Sequence, residues 1–189
     1  MLNKIHTYIV QNAASFLRSP IHLIPNFLQR QLLLDGLNMV FKEALEDGDF
    51  EFLENKWLKV EVKDLDVFWM ISFDGTRFVV SDQPISEGIA ADANFRGNLN
   101  DFILIAGRKE DPDTLFFQRR LVIEGDTEFG LEVKNVIDGV DLDTLPAILK
   151  TLLGQLSDFV YKGVRSGQQH SEGIDHVNTY RGSGGHLTN

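Results

Sequence analysis

Residues 111–130 read DPDTLFFQRRLVIEGDTEFG, and this stretch is the part of the sequence that most constrains the fold. Asp111 stands directly before Pro112, as an N-cap does when a proline opens the first turn of a helix. The segment 119–125 then predicts a strand, and Asp126 predicts the cap of the next helix. The stretch contains acids, two adjacent arginines and three phenylalanines, but no histidine, cysteine or serine. Because its acids serve as helix caps, the stretch predicts a scaffold more than a catalytic centre.

Upstream of this stretch the hydrophobic period changes from helical to strand-like near residue 48. Apolar spacing predicts a helix over 2–18, ended before Pro20, and a second from Pro25 to about Leu45, ended at Asp47-Gly48. A further helix is predicted over 99–108, with Phe102, Ile105 and Ala106 inward, and a hairpin turn at Asp74-Gly75. The predicted strands cover 58–63, 66–73, 77–81, 89–96 and 119–125.

Downstream, Asp126 opens a helix, and Pro146 lies in the first turn of the last helix, which carries a wide leucine-rich stripe. From residue 166 large apolar side chains become rare, which predicts a disordered tail. The expected division is an N-terminal helical extension over 1–47, a folded domain over 48–165, and a tail over 166–189.

The charge of the chain is unevenly distributed. The formal net charge is −10, which argues against nucleic-acid binding because phosphate recognition needs a basic face. Residues 1–34 nevertheless contain Lys4, Arg18 and Arg30 and no acid at all. The segment lacks the features of a secretory signal, and no apolar run reaches the roughly 20 residues of a membrane span.

A search for catalytic chemistry finds no constellation. The chain has no cysteine, and its five histidines all lie outside residues 48–165. No nucleophile elbow or glycine-rich phosphate loop is present in the sequence, so we expect no enzyme activity, no metal and no cofactor.

Residues 91–138, ADANFRGNLNDFILIAGRKEDPDTLFFQRRLVIEGDTEFGLEVKNVID, resemble the signature of the sterol carrier protein type 2 (SCP2) domain family. The resemblance rests on R-G before a helix, followed by E-D-P-x-T-L-F-F-x-x-R-L-x-I-E-G-D-T-E, and extends over about residues 20–165 at the level of the fold. It implies an α+β fold with a five-stranded, mainly antiparallel sheet. Helices would cover this sheet over an apolar tunnel that holds a lipid, and an N-terminal helical extension would precede it.

Within that family the stretch is similar to bacterial accessory factors of ubiquinone biosynthesis. This implies a non-catalytic, lipid-binding role in oxygen-independent ubiquinone synthesis, shielding or presenting prenylated quinone intermediates to hydroxylation proteins of the UbiU/UbiV type. Such intermediates are nearly insoluble in water, so cytosolic hydroxylases need a protein that shields the isoprenoid tail. The implied ligand is an isoprenoid quinone intermediate or a phospholipid, and the implied location is the cytoplasm, peripheral at the inner membrane if the first helix binds lipid.

The family supplies no motif for the lipid-lining residues, so they are predicted from the apolar pattern. They are Trp69, Ile71, Phe102, Ile105, Phe116, Phe117, Phe129, Val133, Leu149, Leu152, Leu156 and Phe159.

The first helix has two interpretations that the sequence leaves open. It either lies on an anionic membrane surface or packs on the folded domain. In the first case the contacts are Lys4, Ile5, Ile9, Phe16 and Arg18. The apolar helices have an alternative of their own, an interaction module that forms a homodimer or docking face and has no lipid cavity.

Overall fold

The structure of the protein, a computed structural model, describes residues 2–83 and 90–181. Side chains are described from residue 5 to residue 166, apart from 11, 19 and 84–89. The elements follow the order α1 (Leu2–Gln11), α2 (Ala13–Leu23), α3 (Asn26–Val40), α4 (Lys42–Asp47), β1 (Leu58–Val62), β2 (Val67–Phe73), β3 (Phe78–Ser81), β4 (Ala93–Gly97), α5 (Leu99–Ala106), α6 (Pro112–Phe117), β5 (Val122–Gly125), α7 (Thr127–Gly139) and α8 (Ala147–Arg181).

The five strands form one mixed sheet of order β3-β2-β1-β4-β5. All neighbours are antiparallel except β1 and β4, which run parallel. The predicted five-stranded, mainly antiparallel α+β architecture is therefore confirmed. The fourth strand begins at Ala93, four residues later than predicted, and Ile89 lies outside the described residues.

One face of the sheet carries the main hydrophobic core. Leu58, Ile71 and Phe95 lie on this face and pack with Phe129 and Val133 of α7. Partly buried side chains of the α3–α4 region pack against the same cluster: Leu33, Leu34, Leu37, Phe41, Ala44 and Leu45. The boundary predicted at residue 47 therefore passes through a shared core, and the division into domains remains a prediction.

The N-terminal region differs from the single helix predicted over 2–18. The chain breaks at Asn12, whose φ of −111° and ψ of 10° are not helical, and α2 then continues through Pro20 to Leu23. Contacts with the β1–β2 turn hold α2 in place, because His22 donates from Nε2 to the Leu65 carbonyl at 3.0 Å and Arg18 pairs with Asp66 at 3.0 Å. The sequence predicted that the helix ends before Pro20, because proline disfavours a helical conformation in the residue before it. In the structure the contacts of His22 and Arg18 hold the helix beyond that point.

The predicted caps and turns are present. The side chains of Asp111 and Asp126 accept hydrogen bonds from backbone N–H groups two residues on. Asp141 makes the same contact, but it caps the short 3-10 turn Leu142–Thr144 and not the start of α8. Gly48 ends α4 with a φ of 81°, and Gly75 turns the β2–β3 loop with a φ of 88°. These positions require positive φ, which glycine adopts without strain.

Helix α8 extends into the segment for which a disordered tail was predicted, and the tail itself remains a prediction. The backbone of α8 stays helical through residues 166–181, where composition predicted disorder. No proline follows Pro146, so nothing local forces the helix to stop. The last eight residues of the tail, 182–189, lie outside the described part of the chain.

Candidate functional site

The predicted lipid-lining residues separate into three groups. Ile71, Phe129 and Val133 are buried in the main core, and Trp69 packs against it. Phe102, Ile105 and Leu149 are half-buried. Phe116, Phe117, Leu152, Leu156 and Phe159 are exposed, with Phe117 at 81%. The structure therefore does not bring the twelve residues together around one cavity, and the tunnel along them remains a prediction.

Helix α8 carries a continuous exposed apolar surface. Ile148, Leu152, Leu156 and Phe159 are all exposed, and their spacing of four, four and three residues puts them on one helical face. We call these four residues the α8 stripe. A wide apolar face was predicted here, and of this face Val160 lies on the inward side, beside the fully buried Ser157. The apolar residues of α8 cover so much of the helix circumference that the sequence did not show which of them face the rest of the protein.

Helix α1 packs on α8, which is one of the two alternatives left open by the sequence. Val10 is 1% exposed, and a Cβ built on Gly163 would collide with its side chain, so the two helices approach closely. His6 donates from Nε2 to the Phe159 carbonyl at 2.8 Å, and Asn100 donates to the Val10 carbonyl at 2.9 Å. The domain thus uses one face of α1.

The opposite face of α1, together with part of α2, is exposed and apolar. Ile5, Ile9 and Phe16, three of the predicted membrane-contact residues, each expose two fifths or more of their surface. The predicted contact Arg18 behaves differently, because it is paired with Asp66. The side chain of Lys4 lies outside the described residues.

Ion pairs explain the charge asymmetry of the sequence. Arg18 reaches Asp66, and Arg30 reaches Asp82 at 3.5 Å. Two of the three cations in residues 1–34 are therefore paired with acids of the folded body. This pairing lowers the positive charge with which the segment could attract an anionic surface.

The titrating groups with shifted pKa values sit in pairs that stabilise structure. A hydrogen bond from Lys59, with added attraction from Arg96, lowers the pKa of the Glu61 carboxyl. A hydrogen bond to Asp113, supported by one to Asp138, raises the pKa of Lys134. Hydrogen bonds from Thr76 and Arg77 lower the pKa of Asp74 to about 2. All these shifts favour the charged form, which is the opposite of a buried carboxyl prepared for acid catalysis.

One buried ion pair within the signature could not be foreseen from the sequence pattern. Asp101 on α5 is 3% exposed, and its Oδ1 accepts from Nε and Nη2 of Arg120 at 2.9 and 2.6 Å. The available signal was an acid inside the apolar run of α5, where only a paired carboxylate is tolerated.

Two clefts border the core-side helices. One of about 380 Å³ lies between the α3–α4 region and the segment from Gly139 to Pro146. A smaller one of about 170 Å³ includes Ile105, Arg108 and Ile137. Arg108 donates to the carbonyls of Ile137, Asp138 and Val140, so it caps the end of α7 and is not free for a ligand.

Neither a metal centre nor a bilayer span is found in the part of the chain that the structure describes. Within residues 2–83 and 90–181, no three His, Cys, Asp or Glu side chains are grouped so that they could hold a metal ion. In the same residues, no helix combines the length and apolar character needed to cross a bilayer.

Comparison with known proteins gives consistent results. The family model described as "SCP-2 sterol transfer family" matches residues 34–138. The "Ubiquinone biosynthesis accessory factor UbiT" of Escherichia coli (strain K12) is 46% identical over 166 residues, which cover 88% of this chain and 92% of that protein. The same identity and coverage hold for UbiT of Escherichia coli O157:H7.

Similar solved structures have lower identity. "UbiJ-SCP2 Ubiquinone synthesis protein" aligns with a TM-score of 0.49 and 18% identity, over 59% of this chain and 94% of that one. The sterol carrier protein domain 2 of Helicoverpa armigera aligns with a TM-score of 0.41 and 17% identity, over 59% of this chain and 84% of that one.

Proposed function

The chain belongs to the SCP-2 sterol transfer family, and from this premise we propose that it is a non-catalytic, lipid-binding accessory factor of ubiquinone biosynthesis. In the proposed role it shields prenylated quinone intermediates from water and presents them to hydroxylation proteins of the UbiU/UbiV type, in the oxygen-independent pathway. The identity to UbiT over most of both chains supports the pathway, and the absence of a catalytic constellation in the sequence is compatible with a carrier.

The observation that carries the proposal is the α8 stripe. Ile148, Leu152, Leu156 and Phe159 leave large apolar surfaces in contact with water along one helix face. Contiguous apolar surface of this kind marks a binding site in soluble proteins, because exposing it costs roughly 25 cal/mol per Å². In a family of lipid carriers, an isoprenoid or acyl chain is the ligand whose chemistry matches such a surface.

The experiment compares Leu152→Asp with Leu131→Asp. The two leucines are 56% and 54% exposed, but Leu131 lies on α7, away from the stripe. Purified proteins are extracted with organic solvent, and the extract is analysed by mass spectrometry. We expect the wild type and Leu131→Asp to yield a prenylated aromatic or a phospholipid, and Leu152→Asp to yield roughly tenfold less, since a charge opposes apolar contact.

Equal lipid content in the two variants would contradict the role of the α8 stripe, and a wild type without lipid would contradict the carrier function itself. Ubiquinone content of an anaerobic deletion strain that carries each variant measures the proposed place in the pathway. Full restoration by Leu152→Asp would remove the link between lipid binding and the hydroxylation steps.

We also propose that the protein is cytoplasmic and associates peripherally with the inner membrane. The exposed apolar side chains of Ile5, Ile9 and Phe16 support this, together with the absence of acids in residues 1–34. Because Arg18 and Arg30 are paired with acids of the body, apolar contact would contribute more to this association than charge.

The second candidate function is an interaction module that dimerises through the α8 stripe without holding lipid. The packed interior favours this candidate, since Phe129 and Leu115 are fully buried and fill space between the layers. Sedimentation of the wild type and Leu152→Asp distinguishes the two candidates. A lipid-free dimer that the substitution converts to a monomer would replace the carrier proposal.

A further inference from the structure

The turn between α2 and α3 exposes apolar side chains where turns in contact with water usually carry polar ones. Leu23 is 82% exposed and Phe27 is 65% exposed, and each lies two residues from Pro25 in the middle of the turn. Further along α3, Leu28 and Leu32 are exposed as well. We call Leu23, Phe27, Leu28 and Leu32 the turn patch. Clustered apolar surface of this kind marks an interaction site.

The polar side chains of the same segment point inward and hold the turn on the folded body. His22 donates from Nε2 to the Leu65 carbonyl at 3.0 Å, and Asn26 donates to Oδ2 of Asp82 at 2.5 Å. Arg30 pairs with the other oxygen of Asp82 at 3.5 Å. These contacts fix the orientation of the turn, so the tertiary structure itself directs the turn patch toward the surroundings.

The backbone carbonyls of the turn are satisfied within the protein. Nε2 of Gln29 donates to the carbonyls of Ile21 and Ile24 at 3.0 and 2.9 Å. The Pro25 carbonyl accepts from the N–H groups of Leu28 and Gln29 at 2.9 and 3.2 Å, and proline has no N–H of its own. The hydrocarbon of a bilayer offers no hydrogen-bond partner, so a turn that enters it must satisfy its polar backbone internally. These three carbonyls meet that requirement.

The charge around the turn favours a phospholipid surface over the surface of an acidic body such as the rest of this chain. No Asp or Glu occurs in residues 1–34, although the whole chain has a formal net charge of −10. The acids of the body that reach this segment are paired, Asp66 with Arg18 and Asp82 with Arg30. Little negative charge therefore remains beside the turn to repel the phosphates of a lipid head group.

The position of the next acid matches the depth of an interfacial contact. Asp35 is exposed on α3 eight residues after Phe27, which corresponds to about 12 Å along the helix axis. Apolar side chains of proteins that lie in the membrane interface enter roughly 5–10 Å into the boundary between head groups and acyl chains. The Asp35 carboxylate would therefore stay in water when the tip of the turn is buried.

We propose that the turn patch inserts into the interface of a phospholipid bilayer. Leu23 and Phe27 form the tip that reaches the acyl chains, and Leu28 and Leu32 lie at the level of the head groups. The inference rests on the proposed peripheral association and deepens it, because it names the segment that enters the lipid. Since the arginines of the segment are paired, apolar burial drives the insertion, in zwitterionic as well as anionic bilayers.

A single fluorescent label tests the insertion directly. The chain has no cysteine, so Leu23→Cys provides one attachment site for a nitrobenzoxadiazole fluorophore in the full-length protein. With phosphatidylcholine vesicles we expect the emission to shift to shorter wavelength and to be quenched by lipids that carry a spin label on the acyl chain. Leu131→Cys is the matched control, because Leu131 is 54% exposed on α7. Its label should stay in water while the protein sediments with the vesicles.

Substitution of the tip measures its contribution to binding. We expect Leu23→Asn and Phe27→Asn each to weaken co-sedimentation with phosphatidylcholine vesicles roughly tenfold, because each removes an apolar side chain that the bilayer would bury. The circular dichroism spectrum should not change, since both side chains are exposed. Leu131→Asn should bind as the wild type does. Equal binding by all three variants would overturn the proposal.

The label also separates this inference from the other proposals. Vesicle-bound protein whose label at position 23 stays in water overturns the insertion of the turn and leaves the peripheral association to α1. A wild type that does not sediment with vesicles overturns both the insertion and the association. A blue shift without vesicles that grows with protein concentration assigns the turn patch to a second copy of the chain and also overturns the insertion.

Lipid extraction from the wild type is independent of these measurements. Protein that retains lipid but whose turn stays in water disproves only this inference. Lipid-free protein whose turn inserts into vesicles disproves only the carrier proposal.

Discussion

At the scale of single residues, the ion pair between Asp101 and Arg120 joins two parts of the family signature. Arg120 follows α6, and its guanidinium reaches across to a carboxylate on α5 that is almost entirely buried. The second oxygen of Asp101 accepts from the N–H of Asn98 at 3.3 Å and so completes the cap of α5. A buried charge is tolerated only when it is paired, so each partner makes the other necessary.

Removing one partner of this pair tests its contribution. Arg120→Met leaves Asp101 buried and unpaired, and we expect the free energy of unfolding to fall by about 3 kcal/mol in urea denaturation. Arg77→Met is the control, because Arg77 pairs with Asp74 at 3.0 Å but is 78% exposed. We expect its unfolding midpoint to stay at the wild-type value, since exposed pairs contribute little. A similar midpoint for both variants would show that the Asp101 pair is not structural.

At the scale of elements, α8 acts as the support on which α1 and α5 lie. Small residues set both contacts: Gly107 of the α5 end meets Ser157, and Gly163 meets Val10. A Cβ at either glycine would overlap the partner side chain, so the helices approach more closely than larger residues would permit. This close approach fixes which faces of α1 and α8 remain exposed.

Adding one methyl group at Gly163 tests this arrangement. Gly163→Ala should push α1 away from α8, and we expect backbone amides of α1 to exchange with solvent at least roughly tenfold faster. Gly154→Ala on the same helix is the matched control, because nothing lies within 4 Å of its added Cβ. That variant should gain up to about 1 kcal/mol of stability from helix propensity. Unchanged exchange of α1 in Gly163→Ala would mean that the contact with Val10 does not hold α1.

At the scale of the whole molecule, apolar and charged surfaces are separated. The N-terminal helices expose Ile5, Ile9 and Phe16. The cations Arg18 and Arg30 form ion pairs with acids of the folded body. A membrane contact of this protein would therefore depend on apolar insertion, with only a weak contribution from charge. Salt screens charge interactions but leaves apolar burial intact, so the two contributions are separable.

Vesicle co-sedimentation tests this membrane contact. We expect Ile9→Asp and Phe16→Asp each to weaken binding to phosphatidylglycerol vesicles roughly tenfold, because each removes one exposed apolar side chain that the membrane would bury. Leu131→Asp, which is exposed on α7, should bind as the wild type does. Raising the salt concentration should change wild-type binding little. A steep loss with salt would instead assign the interaction to charge, and equal binding by all variants would contradict the membrane contact.

The class of the fold and most of its strands and helices could be predicted from local sequence. Asp111 and Asp126 are caps because an aspartate next to free helical N–H groups accepts hydrogen bonds whatever surrounds it. The alternation in β1 likewise predicts a half-buried strand. Such signals act over a few residues and can be read from the chain alone.

The contacts between distant parts of the chain could not be predicted in this way. Asp101 pairs with Arg120, Asn94 stands between Lys59 and Glu124, and Val10 lies against Gly163, and each contact joins residues that are distant in sequence. The pattern predicted a wide apolar face on α8, but the close approaches at Gly107 and Gly163 selected its inward edge. Periodicity reports how apolar a face is, whereas packing depends on the shape of the partner that meets it.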